Sequence, residues 1–237
     1  MFSNLEKLSL RSNPLEGSIP TELGLLSNLL YISLRDNALS SSISSEIGML
    51  SSLNYLYLEF NELSGSIFTE IGSLSSLKEL HLNYNQLSGS IPSEIGLLTN
   101  LEQLELYYNK LNSSIPSEIG LLSTLKKLYV EYNFLSDVIP SEIGLLSNLD
   151  ELALYNNQLS GSLPTEIGQM TSLVYLSLES NQLSGPVPSE MGLLLNLMEL
   201  RLYDNNQMSG TLPAEVCSLL DNGLDLFISG TNIDDSC

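Results

Sequence analysis

Leucine and polar residues alternate in a short segment that returns every 24 residues along the chain. In one copy Leu80 and Leu82 are apolar, whereas Glu79, His81 and Asn83 are polar. Such alternation is typical of a short strand with one buried face. The copies begin at Leu5, Leu29, Leu53, Leu77, Leu101, Leu125, Leu149, Leu173 and Leu197. The pattern therefore predicts nine strands that turn their leucines inward and their polar residues outward.

A turn and a short helical segment are predicted after each strand. The recurring asparagine, as at Asn85, carries an amide that can satisfy backbone groups in a turn. The run 115–118, Ile-Pro-Ser-Glu, indicates entry into a helical turn that Gly120 ends, with the hydroxyl or carboxylate available to cap N–H groups. A proline and a glycine so close together exclude a long helix. Because one repeat cannot bury its own leucines, the copies must stack into a solenoid.

Some copies depart from this pattern, and we expect local bulges there. Ser44 and Phe68 replace the usual proline, while Ser41, Ser113 and Asp137 replace the glycine that follows the strand. One extra residue is also inserted around positions 205–206.

The full motif, LxxLxLxxNxLxGxIPxEIGxL, resembles the plant-type class of leucine-rich repeats over nearly the whole chain. The resemblance implies an α/β fold: a right-handed, horseshoe-shaped solenoid with a concave parallel sheet and convex 3-10 or irregular segments. Receptor-kinase ectodomains and polygalacturonase-inhibitor-like proteins belong to this class and hold peptides or proteins on the concave sheet. We expect nine repeats over residues 1–219 and a carboxy-terminal cap over 220–237.

The two cysteines, Cys217 and Cys237, both lie near the end of the repeats. As a disulfide they would staple the cap and indicate an oxidising compartment, and two free thiols are the alternative. The chain opens almost inside a repeat, and MFSNLEKLSL lacks the basic start and apolar middle of a signal peptide. We therefore expect an extracellular or secreted protein, with the signal peptide absent from this chain.

The formal net charge of −20 argues against nucleic acid and anionic membrane surfaces as partners. No apolar run is long enough to insert into a membrane. Catalysis is not expected either, because the chain has a single histidine, His81, and no reactive-cysteine or metal-ligand motif. We predict a monomer that needs no cofactor and binds a protein or peptide, with a glycan as a further possibility.

Tyrosine gives the sharpest indication of a binding surface, because all eleven copies fall at variable positions of the LxxLxLxxN segment. Polar-tipped aromatic residues mixed with carboxylates are favoured on recognition surfaces. The alternative is that tyrosine simply suits strands and stacks on its neighbours. The predicted ligand-binding residues are Tyr55, Tyr57, Phe60, His81, Tyr84, Glu105, Tyr107, Tyr108, Tyr129, Glu131, Tyr132 and Tyr155.

The flank of the solenoid carries the rival surface. Serines recur two positions apart, as at Ser64/Ser66 and Ser88/Ser90, and predict flat hydroxyl ladders. Because some plant leucine-rich-repeat proteins bind ice, an ice-binding role is the alternative function; the simpler account is that a tightly stacked edge tolerates small polar residues. The sequon at Asn112 lies on this flank and predicts a glycosylation site.

Overall fold

Parallel strands stack in chain order to form one long sheet. The computed structural model describes residues 4–237, and within them this sheet has ten strands. The leucine-rich-repeat solenoid is thus confirmed: each of the nine repeats gives one strand, and the carboxy-terminal segment, where Leu224, Leu226 and Ile228 also predict a last edge strand, adds the tenth. The strands are Lys7–Ser9, Tyr31–Ser33, Tyr55–Tyr57, Glu79–His81, Gln103–Glu105, Lys127–Tyr129, Glu151–Ala153, Tyr175–Ser177, Glu199–Arg201 and Asp225–Phe227.

Short 3-10 segments line the convex side, as predicted. They are Thr21–Leu25, Ser45–Met49, Thr69–Ser73, Ser93–Leu97, Ser117–Leu121, Ser141–Leu145, Thr165–Gln169 and Ser189–Leu193. An α-helix, Ala214–Asp221, takes the next place in the series, so the proposed division between repeats and cap at residues 219 and 220 falls inside it. Within residues 4–237, no helix is long and apolar enough to cross a bilayer.

The flank holds strands that the sequence analysis did not predict. They form a six-stranded sheet of Glu16–Gly17, Ala38–Ser42, Glu62–Gly65, Gln86–Gly89, Lys110–Ser113 and Phe134–Leu135, and a four-stranded sheet of Ser160–Gly161, Gln182–Gly185, Gln207–Thr211 and Asn232–Asp234. A single bridge from Val138 to Ser160 joins the two sheets. The interruption lies beside Asp137, one of the positions expected to be irregular.

Most of the other expected bulges are absent. Ser44 and Phe68 have φ of −70° and −71°, like the prolines that they replace. Ser41 and Ser113 adopt the positive φ of the glycines in their column, and their strands run on without interruption. The expectation was therefore wrong at these four positions, because neighbouring repeats hold the backbone in the common conformation.

The recurring asparagine has the structural role predicted for it. The buried Asn109 amide nitrogen donates to the carbonyls of Leu82 and Leu106, each at 3.0 Å. Its Oδ1 accepts the Leu87 N–H at 2.9 Å. One side chain thus joins two successive turns, and equivalent bonds recur from Asn37 to Asn205.

Glycine and glutamate of successive repeats pack closely on the convex side. Gly120 lies inside a 3-10 segment, and a Cβ built on it would come within 2.4 Å of the Glu142 carbonyl oxygen. Its role is therefore close approach, and the prediction that it ends the turn was wrong. Side-chain capping of the backbone is found only at Ser44 among the eight 3-10 segments. Elsewhere the hydroxyl donates to the adjacent carboxylate, as from Ser117 to Glu118 at 3.1 Å.

The carboxy-terminal end is closed by strand Asp225–Phe227 and by a disulfide between Cys217 and Cys237. Val216 and Leu219 of the last helix are buried against the repeats. The disulfide thus ties the end of the chain to a helix that is anchored in the core.

Candidate functional site

The outward side chains of the concave strands align in columns, as the constant period predicts. Tyr57 pairs in register with His81, His81 with Glu105, and Glu105 with Tyr129. The next member of this column is Ala153. A column of large side chains therefore ends at a small one near the middle of the sheet.

Four aromatic side chains, here called the aromatic ladder, stack along the ends of the strands. Centroid distances are 4.4 Å from Phe60 to Tyr84, 4.6 Å from Tyr84 to Tyr108 and 4.1 Å from Tyr108 to Tyr132. Each pair of rings is parallel within 14°. All four residues are more than a third exposed, so the ladder presents a continuous aromatic edge to solvent.

Tyr107 and Tyr155 are turned nearly at right angles to the ladder. Tyr107 meets Tyr84 at 78° and 5.4 Å, and Tyr155 meets Tyr132 at 77° and 5.3 Å. The faces of the ladder rings are covered by one another along the stack. The faces of Tyr107 and Tyr155 are therefore turned nearly perpendicular to the faces of the ladder rings. Together they border a depression of about 510 Å³. It is lined by Tyr84, Tyr107, Tyr108, Tyr129, Glu131, Tyr132, Glu151, Ala153 and Tyr155.

Buried carboxylates lie in the same column as Tyr107 and Tyr155. Glu59, Glu131 and Glu179 are only 4%, 7% and 3% exposed, and in each the Oε2 atom has no hydrogen-bond partner within the described chain. Burial raises the pKa of all three carboxyls, and the pKa of Glu131 reaches about 7. The concave face thus holds acidic groups that lack full compensation.

Two tyrosine hydroxyls instead donate to partly exposed carboxylates. Tyr57 donates to Glu79 Oε2 at 2.5 Å, and Tyr129 donates to Glu151. The Lys127 ammonium also pairs with Glu151, at 2.8 Å. Desolvation and these carboxylates raise the pKa of both tyrosines, which keeps them protonated. Glu151 therefore has a cation of its own.

His81 is neutral at physiological pH, because burial lowers its pKa to about 4. Its Nε2 lies 3.6 Å from Glu79 and 3.8 Å from Glu105, without a hydrogen bond to either. The residue is part of the polar surface but does not supply a charge. Over residues 4–237, no group of three or more His, Cys, Asp or Glu side chains could hold a metal ion.

The structure brings most of the predicted binding residues together, in two neighbouring groups. Tyr55, Tyr57 and His81 form a cluster with Tyr31, and the ladder with Tyr107, Tyr129, Glu131 and Tyr155 forms the centre. Two expectations about exposure differ: Asn83, predicted to face outward, is 1% exposed, and Glu131 lies beneath its tyrosine neighbours. Sequence reasoning also missed the buried Glu59 and Glu179.

The predicted glycosylation site lies on a different surface. Asn112 is exposed on flank strand Lys110–Ser113, where its Oδ1 accepts a hydrogen bond from the Ser113 hydroxyl at 3.0 Å. A glycan there would leave the concave face open. Modification of Asn112 stays a prediction.

Comparisons with known proteins match this architecture. A family described as Leucine-rich repeat region matches residues 59–162, and one described as Leucine Rich Repeat matches residues 4–26 and 172–194. A comparison with curated proteins found no match.

Solved structures resemble the chain over nearly its full length. A TDR receptor is 34% identical with a TM-score of 0.92; the match covers 97% of this chain and 39% of that one. The Arabidopsis receptor kinase HAESA, in complex with the peptide hormone IDA and the co-receptor SERK1, is 36% identical with a TM-score of 0.88, covering 97% and 38%. A plant ice-binding protein is 26% identical with a TM-score of 0.75, covering 98% and 76%.

The chain spans about two fifths of the length of the two receptors. On this evidence the chain belongs to the leucine-rich-repeat proteins, in their plant-type class.

Proposed function

We propose that the chain is a non-catalytic binding module that recognises an extended peptide or protein segment on its concave face. The observation that carries the proposal is the central depression, where six tyrosine rings, three of them from the aromatic ladder, surround an uncompensated carboxylate. Aromatic side chains bury a large area at low entropic cost, and such groups dominate binding energy at interfaces. The similarity to HAESA, which was solved with a peptide hormone, supports the same kind of ligand.

Strand propensity does not account for the aromatic ladder. Its four residues follow the strands and have left-handed backbone conformations, with φ between 51° and 56°. Bulky side chains are rare in this region, where Asn and Asp are enriched. The same position in other repeats holds Ser12, Asp36, Asn156, Ser180 and Asp204. Four consecutive aromatic residues at a position that disfavours them indicate selection for the exposed surface that they form.

Selection from a displayed random-peptide library tests this proposal. Peptides enriched on the full chain are measured against a Tyr107→Ala/Tyr129→Ala variant, and we expect binding about 30-fold weaker, equivalent to about 2 kcal/mol. The matched control is Tyr175→Ala, which removes a 43% exposed concave tyrosine outside the depression. Equal binding by all three proteins would refute the concave site, and a library of oligosaccharides tests the glycan alternative in the same way.

We further propose that the protein works outside the cell. The Cys217–Cys237 disulfide supports an oxidising compartment. Secretory expression in eukaryotic cells, followed by mass spectrometry, tests this. A bonded cysteine pair and a glycan on Asn112 are expected, whereas two alkylatable thiols in the native secreted protein would contradict the proposal.

Ice binding is the second candidate, and it depends on the flank. Ser42, Ser66, Ser90 and Ser114 are exposed at the equivalent position of successive repeats, at the end of a strand of the six-stranded flank sheet or directly after it, and one similar structure is a plant ice-binding protein. Val138 interrupts this column, which weakens the case for a regular lattice of hydroxyls. An ice-recrystallisation assay decides: activity lost on Ser66→Tyr/Ser90→Tyr but retained in Tyr107→Ala would make the flank the functional surface.

A further inference from the structure

Arg35 shows how this concave surface holds a guanidinium group. Its Nε lies 3.5 Å from the Glu59 Oε1, and its Cζ lies 5.3 Å from the centroid of the Phe60 ring. A buried carboxylate and the first ring of the aromatic ladder thus bind one arginine together. Planar guanidinium groups stack on aromatic faces and donate to carboxylates at the same time.

The same pair of side chains recurs three repeats later without its arginine. Glu131 and Tyr132 occupy the positions of Glu59 and Phe60, and the position of Arg35 is taken by Tyr107. No ion pair of the described residues includes Glu131, and its buried Oε2 accepts no hydrogen bond. A carboxylate and a ring that hold a cation elsewhere in the chain are here left without one.

The other buried glutamate of this column has partners of its own. Glu179 accepts a hydrogen bond from the Tyr203 hydroxyl at 3.3 Å, and the Arg201 charge lowers its pKa against the effect of burial. Arg201 also lies over the Phe227 ring, and Lys7 lies over Tyr31. Towards both ends of the sheet, therefore, the chain supplies its own cations to the aromatic residues.

Space for a ligand exists beside Glu131. Ala153 pairs in register with Tyr129, and its small side chain leaves space at the base of the depression. The rings of Tyr107 and Tyr155 lie at the border of this space. Glu151 also lines this space, but Lys127 already compensates it at 2.8 Å. The uncompensated acceptor in the depression is thus Glu131.

We propose that the depression is a subsite for one guanidinium group of the ligand, the side chain of an arginine, which pairs with Glu131 and packs on the tyrosine rings around it. This inference rests on the proposed concave binding function and adds the chemistry of one ligand residue. Guanidinium is favoured over ammonium because the chain's own example at Glu59 uses arginine, and because only a planar cation both stacks and donates along its edge.

The test uses N-acetyl-arginine methylamide as the probe and its neutral citrulline analogue as the comparison. Binding to the full chain, labelled in its tyrosine rings, is followed by NMR. We expect the arginine probe to shift the signals of Tyr107, Tyr132 and Tyr155 but not those of Tyr175, with affinity about tenfold above that of citrulline. Glu131→Gln should remove this preference.

A second variant reproduces, beside Glu131, the contact that Arg35 makes with Glu59 and Phe60. Tyr107→Arg places a guanidinium where Arg35 lies three repeats earlier, so it should fill the subsite and abolish binding of the probe. Gln182→Arg adds the same charge on the exposed flank and should bind the probe like the wild type. Thermal unfolding of both variants is the control measurement for an intact fold.

The outcomes separate this inference from the function on which it rests. Equal binding of the arginine and citrulline probes, no response at about 10 mM probe, or undiminished binding by Tyr107→Arg would each overturn the guanidinium subsite. Library peptides that need Tyr107 and Tyr129 but contain no preferred arginine would also overturn it, while leaving the concave binding function standing. Peptides that ignore the tyrosines would instead refute the function itself.

Discussion

Tyr108 and Tyr132 stack with their ring centroids 4.1 Å apart and their planes within 12°, although both residues have a left-handed backbone. The stacking offsets part of the conformational cost, since an aromatic pair contributes about 0.5–1.5 kcal/mol and the left-handed region costs about 1–2 kcal/mol. The two effects are of similar size. Stability alone therefore does not explain why aromatic residues occupy these positions.

Replacing Tyr108 by Asn separates the contribution of the ladder to stability from its contribution to binding. Asn is favoured in the left-handed region, so the free energy of unfolding should change by less than about 1 kcal/mol even though two stacking contacts are lost. Binding of library-selected peptides should fall by about tenfold or more. Chemical denaturation and peptide titration measure the two quantities. A variant that loses several kcal/mol of stability would show that the ladder is structural.

Asn109 should behave in the opposite way, because its bonds join successive turns. Asn109→Ala leaves the buried N–H of Leu87 without its partner, whereas the carbonyls of Leu82 and Leu106 each keep one other asparagine amide as donor. One unmet buried N–H costs about 1–3 kcal/mol and each of the two other lost bonds about 0.5–1.5 kcal/mol, so we expect urea denaturation to show a loss of roughly 2–6 kcal/mol. Asn148→Ala, which removes one exposed bond to Ser123, should cost less than about 1 kcal/mol.

The repeat period made much of this structure predictable. Strands, turns and convex segments are local features that each copy specifies for itself, and a constant spacing places Tyr57, His81, Glu105 and Tyr129 in one column. The flank sheets escaped prediction because their partners are offset by 22 residues, as from Ser64 to Gln86, and an alignment in steps of 24 hides this pairing.

Burial within the concave face could not be predicted from one repeat. Asn83 and Glu131 share a column with Tyr107 and Tyr155, and the motif gives all four the same outward direction. Which of them is covered depends on the size and ring orientation of neighbours in adjacent repeats. The central depression also depends on such a neighbour, because it needs the small Ala153 next to Tyr129.

Two glycine positions should respond differently to substitution. Gly120→Ala places a Cβ about 2.4 Å from the Glu142 carbonyl, so neighbouring repeats must separate, and we expect a loss of about 1–3 kcal/mol. Gly89→Ser meets nothing closer than 3.6 Å; its only strain is the positive φ that Ser41 and Ser113 already adopt. A loss of about 1 kcal/mol is expected there. Equal losses in thermal unfolding would contradict the close-approach explanation.

The disulfide should stabilise the carboxy-terminal end in particular. Cys217→Ser/Cys237→Ser removes a link between positions 20 residues apart, which is worth about 3 kcal/mol in the chain-entropy model. Because repeats contact only their neighbours, hydrogen exchange should rise in strand Asp225–Phe227 and helix Ala214–Asp221 and stay unchanged near strand Tyr55–Tyr57. Uniformly faster exchange along the whole chain would contradict this local effect.

Glu131 should make the stability of the free protein depend on pH. Burial raises its pKa from the usual 4.5 to about 7, so the folded state holds a proton that the unfolded state has already released. The sign follows from linkage: stability falls as the pH rises from about 4.5 through about 7. For this side chain the loss is on the order of 3 kcal/mol.

Other groups near Glu131 contribute to the same profile. Those that line the depression or act on this carboxyl are Glu105, Tyr107, Tyr108, Tyr129, Tyr132, Glu151, Tyr155 and Glu179, with Lys127 paired to Glu151. Burial also raises the pKa of Glu105 and Glu179, so both add to the loss with the same sign. The contribution of Glu131 is therefore the difference between the wild type and Glu131→Gln.

Urea denaturation between pH 4.5 and 8 measures that difference. We expect Glu131→Gln to match the wild type at the acidic end, where Glu131 is neutral in the folded protein, and to be more stable above pH 7, where the wild type must bury an uncompensated charge. Adding the arginine probe should narrow this gap, because a bound guanidinium stabilises the ionised carboxylate. Parallel profiles for the two proteins over the whole range would show that Glu131 is ionised with a partner already present in the fold, and the subsite would then have no acceptor to offer.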